Sequence, residues 1–243
     1  LNSVPLVLAE NSSSDDTALV NAVSEKWNFP VITHSEKDNE GFYLQVRNGV
    51  LGLADASDKK VLPVEVDFAS PASLYRKQHG GGRKEPIVKA IGLKGNEKWH
   101  VVDATPGLGR DAFVLVSVGC KVTMIERSPI VAALLEDGIR RLALSFPELA
   151  SQMSLRHGNS AEVMQYFSGE NVNAIYLDAM FPHKKKSALV KKEMRLFQQL
   201  LGLVALCRHR KTGRAGVGDH RQSRFLCKGS RHGFAHVDQR PDD

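Results

Sequence analysis

The segment Val101-Val102-Asp103-Ala104-Thr105-Pro106-Gly107-Leu108-Gly109-Arg110-Asp111 constrains the fold more than any other stretch of this chain. It reads as a buried strand that ends in an acid and opens through two glycines into a helix. Glycines at such a turn permit positive φ and let the backbone come close to a ligand, while the helix N-terminus offers unpaired N–H groups. The alternation continues: Lys121 to Glu126 reads as a strand, Pro129 to Leu144 as a helix, and Met153 to His157 as a strand. Ala161 to Phe167 then reads as a helix, Ala174 to Asp178 as a strand, and Ser187 to Leu203 as a long helix. Strands alternating with helices imply right-handed βαβ units and a parallel sheet.

The chain before this region has a different texture. Val4 to Ala9 reads as a strand, Asp16 to Trp27 as a helix capped by Asp16, and Val31 to Thr33, Phe42 to Arg47 and Gly49 to Ala54 as short antiparallel strands. This predicts a small α+β domain over residues 1–68. A run rich in glycine and basic residues, Tyr75 to Lys84, follows, with a flexible glycine stretch inside it.

At 243 residues, 42% apolar and 25% charged, the chain is an ordinary globular protein, which excludes disorder, collagen and a disulfide scaffold. Cys120, Cys207 and Cys227 show no CxxC spacing, so no zinc site is expected. The apolar start, Leu1 to Leu8, lacks a basic flank, and no run approaches the roughly 18 apolar residues of a membrane span. The reading is a cytoplasmic protein without metal or membrane.

The net charge of +6 is unevenly spread. Residues 203–243 hold nine Lys/Arg against four Asp/Glu, and there the apolar periodicity fails. The expected closing strands of the sheet are missing from residues 204–243, so the tail reads as atypical, disordered or frame-shifted, leaving an exposed sheet edge.

Gly107-x-Gly109-x-x-Ala112 satisfies a dinucleotide fingerprint, but two acids favour S-adenosylmethionine over NAD. Asp103 at the strand end would repel a pyrophosphate and suits the methionyl ammonium or sulfonium. Glu126, ending the second strand, can accept both ribose hydroxyls. The bland alternative is that both are surface acids beside a tight turn. The fourth strand closes as Leu177-Asp178-Ala179-Met180-Phe181-Pro182-His183-Lys184-Lys185-Lys186. An acid followed by an aromatic and a proline resembles the Asp/Asn-Pro-Pro-Tyr/Phe signature of amino-methyltransferases, in which Asp178 and the carbonyl of residue 179 would accept the amine N–H and Phe181 would stack on the base. Alternatively, Asp178 caps a helix and Phe181 is a core aromatic.

Several segments together resemble the J-type small-subunit ribosomal RNA guanine-N2 methyltransferases of bacteria: Val102-Asp103-Ala104-Thr105, Gly107 to Val114, Glu126-Arg127, Val131 to Leu135, Met180 to Lys184, and Ser187 to Arg195, with Gly80-Gly81-Gly82-Arg83 upstream. The resemblance covers roughly residues 1–202. It implies a class I S-adenosylmethionine-dependent, Rossmann-like α/β sheet over residues 69–203, acting on 16S rRNA or the small ribosomal subunit. It also implies cofactor contacts at Arg110 and Asp111, at Glu126 and Arg127, at Asn159 and Ser160 near the adenine, and at Asp178. Without it, Arg110 and Arg127 would equally be surface ion pairs and Asn159 a turn residue. The family has Pro where Ala179 stands, which loosens the backbone after Asp178.

The basic clusters, Arg76, Lys77, Arg83 and Lys84 and then Lys184 to Lys186, Lys191 and Lys192, would contact RNA phosphates or form solvated faces. Two other classes stay open at this point. An NAD-dependent oxidoreductase would need a proton donor such as Tyr-x-x-x-Lys, which is not evident. A non-catalytic RNA-binding module would have no use for the pair Asp103 and Glu126.

Overall fold

The computed structural model describes residues 4–38, 40–58, 60–163 and 171–178, and the backbone alone of 224–230 and 233–237. These fall into two compact units. The first comprises residues 4–66 with Pro129–Gly138, and the second comprises residues 67–128, 139–178 and the two C-terminal strands.

In the first unit, β1 (Leu6–Leu8), α1 (Ser14–Trp27), β2 (Val31–Thr33), β3 (Phe42–Arg47) and β4 (Val50–Asp55) form a sheet in the order β2-β1-β3-β4. β3 and β4 make the expected antiparallel hairpin, turning at Asn48 (φ 53°) and Gly49 (φ 73°). β2, however, runs parallel to β1, as does β3. Three-residue strands carry no directional signal, and the helix between β1 and β2 provides the crossover that parallel pairing needs.

Ser13, not Asp16, caps α1, accepting the Asp16 N–H at 3.0 Å. Asp16 is buried and receives the Asn48 and Gly49 N–H groups of the hairpin turn at 3.1 and 2.6 Å. Val20 and Val23 supply the buried stripe of the helix, and Asn28 in the left-handed region ends it. Buried Asp137, from helix α5 (Pro129–Ser145), accepts the Leu51 N–H at 3.2 Å.

The second unit begins with α2 (Pro71–His79), a 3-10 turn (Gly82–Lys84) and α3 (Pro86–Ile91), so the basic residues that flank the glycine stretch lie in helical turns. Pro71 at the first helical position and the Ser70 hydroxyl, which receives the Ser73 N–H, start α2. Then come β5 (His100–Asp103), α4 (Arg110–Ser117), β6 (Lys121–Glu126), the rest of α5, α6 (Pro147–Ala150), β7 (Met153–His157), α7 (Ser160–Val163) and β8 (Ala174–Leu177). The expected continuation of α7 to Phe167 and the helix over Ser187 to Leu203 lie outside the described residues.

The sheet order is β10-β9-β8-β5-β6-β7, with β9 (Arg224–Ser230) and β10 (Gly233–Val237). β5 to β9 are mutually parallel along the sheet, and β10 is antiparallel to β9. This corrects the expectation that closing strands are missing. β9 pairs with β8 from Ala174 opposite Arg224 to Leu177 opposite Cys227, so among the described residues β8 is not an edge. Periodicity missed these strands because a sheet margin is held by backbone hydrogen bonds, which an irregular side-chain pattern does not reveal.

β5 and β6 are covered on both sides, which is why Val101, Val102, Val122, Met124 and Ile125 are all buried and read as continuous apolar runs. Each such side chain contributes about 1.5–3 kcal/mol of burial. The chain moves from β5 outward to β7 and then returns to β8 on the other flank of β5. That reversal opens a crevice at the carboxyl ends of β5 and β8, where sheets of this kind bind ligands.

Candidate active site

Four acids expected from the sequence, Asp103, Asp111, Glu126 and Asp178, are described at this crevice. Asp103 ends β5 and is 1% exposed. Its Oδ1 accepts the Thr105 N–H at 3.1 Å, whereas Oδ2 is buried with no hydrogen-bond partner among the described residues. Burial pushes its carboxyl up to about 7; the Thr105 N–H opposes the shift, and the charges of Asp111, Asp178 and Glu126 add to it. A buried acceptor without a donor is costly, so this oxygen calls for a hydrogen-bond donor or cation from a ligand.

The turn after β5 passes through Gly107 (φ 53°) and Gly109 (φ 72°), both in the left-handed region that favours glycine. Gly109 is the N-terminal flank of α4. Arg110 is exposed at the first position of that helix, and Asp111 is half-buried beside it.

Tyr176 and Thr105 were not anticipated as site residues. The Tyr176 ring is 2% exposed, and its hydroxyl donates to Asp111 Oδ2 at 2.9 Å and lies 3.5 Å from Asp178 Oδ2. Burial, followed by the charges of Asp111 and Asp178, holds the phenol far above its usual range, so it remains a donor. Thr105 Oγ1 accepts the Asp178 N–H at 2.7 Å, and Ala104 N–H donates to the Tyr176 carbonyl at 3.0 Å. The turn after β5 is thereby bonded to the end of β8. One sequence signal was available: Tyr176 and Asp178 are two apart in a strand and so share a face.

At the end of β6, Glu126 Oε1 accepts the Ser128 N–H at 2.7 Å. Burial raises its pKa despite the N–H groups of Ser128 and Arg127 and the nearby charges of Arg127 and His157. Arg127 is exposed, and its carbonyl lies 3.1 Å from His157 Nε2. Gly158 N–H donates to the Glu126 carbonyl at 2.9 Å, bringing the chain after β7 alongside. There Asn159 acts as a cap: its Oδ1 accepts the Ala161 N–H at 3.0 Å and its carbonyl the Val163 N–H at 2.8 Å. Ser160 opens α7, partly exposed.

The structure thus gathers Asp103, Asp111 and Asp178 around Tyr176 and Thr105, with Glu126 near enough for its charge to reach Asp103. Phe181, Ala179 and the lysines at 184–186, 191 and 192 lie outside the described residues. A cluster of four carboxylates repels a pyrophosphate and attracts a cation. The orphaned Asp103 oxygen fits the same ligand class. Among the described residues no group of His, Cys, Asp and Glu has the make-up of a metal site, and no helix is long and apolar enough to cross a membrane.

Comparison with known proteins agrees with a cationic, methyl-bearing cofactor. A family model described as "Putative SAM-dependent methyltransferase" matches residues 22–205. The ribosomal RNA small subunit methyltransferase J of Alteromonas mediterranea is 88% identical over 202 residues, covering 83% of this chain and 78% of that protein. The protein of the same name from Colwellia psychrerythraea is 43% identical over 212 residues, covering 82% and 77%. Among solved structures, a SAM-dependent methyltransferase from Neisseria gonorrhoeae superposes with a TM-score of 0.61 at 30% identity, covering 97% of this chain and 89% of that one. An acid-lined crevice at the reversal of a parallel sheet, matched over most of its length by these relatives, places the chain in the family of S-adenosylmethionine-dependent methyltransferases.

Proposed function

We propose that this methyltransferase acts on small-subunit ribosomal RNA, as its relatives' names state of them, and that the acceptor is the exocyclic N2 amine of a guanosine in 16S rRNA. The observation that carries the reading is Asp178, held through its own N–H by Thr105 and faced by the Tyr176 hydroxyl, at the same sheet edge as a buried Asp103 oxygen that has no donor among the described residues.

S-adenosylmethionine supplies an activated methyl group on a sulfonium. In this reading Asp103 Oδ2 binds the methionyl ammonium. Asp111 and Arg110, at the first turn of α4, flank it. Glu126 holds the ribose hydroxyls; its carboxylate offers about four acceptor positions, and the Ser128 and Arg127 N–H groups leave some of them open. Arg127, Asn159 and Ser160 line the adenine side. Asp178 accepts an N–H of the target amine, which is a weak nucleophile while conjugated with the purine, and so favours a pyramidal nitrogen with its lone pair toward the methyl group. The sequence assigns base stacking to Phe181, which lies outside the described residues. Tyr176, which stays protonated, donates its one O–H to Asp111 with Asp178 close by.

In the same reading residues 1–68 form a small α+β domain, residues 69–203 the catalytic domain, and the protein works in the cytoplasm, where ribosomal subunits are made. The test is to incubate the chain with small-subunit rRNA and methyl-labelled cofactor and to analyse the digested nucleosides by mass spectrometry. N2-methylguanosine is expected from the native chain and should be lost in Asp178→Ala. Label on adenosine, or none despite cofactor binding, would overturn the assignment.

A further inference from the structure

Helix α2 buries none of its side chains. A nine-residue helix is too short to persist on intrinsic propensity, and this one is held by its Ser70 cap, by the Gly80 N–H on the Arg76 carbonyl, and by Arg76. The Arg76 guanidinium makes two hydrogen bonds to Glu85, at 3.1 and 3.0 Å. Of the other arginine here, Arg83 Nη2 donates to the Val118 carbonyl at 3.4 Å. Both arginines of the stretch are therefore engaged within the protein.

What α2 and the next turn present to solvent is different. Tyr75 is 65% exposed, and its ring stacks on His79 one turn later, with centroids 4.5 Å apart and planes 22° apart. Lys77 and Lys84 are exposed on either side of the glycine run, and no acid occurs between residues 71 and 84. An open aromatic stack among lysines is the arrangement used by single-strand binders, in which bases lie on π-faces and cations follow the backbone. A lipid surface would require an apolar helix face, which α2 lacks.

The location fits a substrate strand. Phe68, just before α2, stacks on Phe113 of α4 with centroids 5.6 Å apart. The Glu85 hydrogen bond raises the pKa of the Arg76 guanidinium against the effect of burial, and the charge of Asp111, at the first turn of α4, adds to the rise. Phe68 and the α2 region thus lie along α4, with the turn after α2 reaching the carboxyl end of that helix at Val118.

We propose that α2 and the turn after it dock the RNA strand flanking the target nucleotide, with the Tyr75–His79 stack receiving an unpaired base and Lys77 and Lys84 binding phosphates. This rests on the RNA reading above and adds the surface that holds the strand. The experiment measures binding of a small-subunit rRNA fragment to the full chain by fluorescence polarisation at several salt concentrations, alongside S-adenosylhomocysteine binding. Tyr75→Leu should weaken RNA binding roughly tenfold, the scale of one base–aromatic stack, with an unchanged salt slope. The double variant Lys77→Ala/Lys84→Ala should flatten the slope of log affinity against log salt by about 1.4, two phosphates on a single strand. Cofactor-product binding should be unchanged in both.

If the native chain binds and methylates the RNA while both variants match it, the docking surface is wrong and the RNA reading stands. A native chain that binds no rRNA overturns both. A flattened slope with Tyr75→Leu at native affinity overturns the stacking role.

Discussion

Replacing Asp103 with Asn should make the chain more stable and impair its cofactor binding. In the folded chain the Asp103 carboxyl is pushed up to about 7 from an ordinary 3.8. The sign follows from proton binding: the folded state holds this proton more tightly than the unfolded state. Its contribution to stability is therefore greatest below about 3.8, falls as pH rises toward 7, and is constant above that. At about 1.4 kcal/mol per pH unit, ionising Asp103 costs the fold about 4 kcal/mol at pH 8, and about 3 kcal/mol of that appears between pH 5 and pH 8. Asn removes this cost. Its oxygen can still accept the Thr105 N–H, but its NH2 group then occupies the position of Oδ2, which has no partner, at a cost of about 1–3 kcal/mol. The net expectation is a variant about 1–3 kcal/mol more stable than the native chain at pH 8, with the advantage lost by pH 5. Urea unfolding followed by the fluorescence of Trp27 and Trp99 at each pH measures the difference, and native–variant subtraction cancels the other titrating groups. A variant less stable at pH 8, or a difference that does not change with pH, would refute the argument.

The same carboxyl makes ligand binding pH-dependent: native affinity for S-adenosylhomocysteine should rise about tenfold between pH 6 and pH 7.5 as Asp103 ionises, whereas Asp103→Asn should titrate flat in calorimetry. Tyr176→Phe deprives Asp111 of a buried donor, and a hydrogen bond to a charged group is worth about 1.5–3 kcal/mol. Urea unfolding should show that loss and turnover assays a reduced methyl-transfer rate; native values in both would remove Tyr176 from the site. Asp16→Ala removes the carboxylate that accepts the Asn48 and Gly49 N–H groups and should cost about 1–3 kcal/mol in thermal or urea unfolding, against almost nothing if Asp16 were only a helix-surface acid.

How far the sequence could be read depended on the distance between partners. The acids at the ends of β5 and β6 were legible because strand ends follow from local pattern, and an acid there is conspicuous. Asn159 was legible as a turn residue, and it does cap α7. Tyr176 was not legible as part of the site, since its hydroxyl meets a carboxylate 65 residues earlier in the chain. The role of Asp16 was hidden for the same reason: its position at a helix start reads as a cap, yet its carboxylate serves a turn 32 and 33 residues away. Arg76 looked like a free cation and is engaged by Glu85. β9 and β10 were missed because their register depends on an available backbone edge.

Sequence alone determined the alternation of strands and helices, the glycine turn and the acids that end the strands, because apolar period and backbone freedom act over a few residues. Tertiary structure decided which of those acids share one crevice, that Asp103 keeps an oxygen without a donor there, and that Tyr176 joins Asp111 to Asp178. Burial and charge coupling arise only when distant segments exclude water together, and no local pattern encodes that.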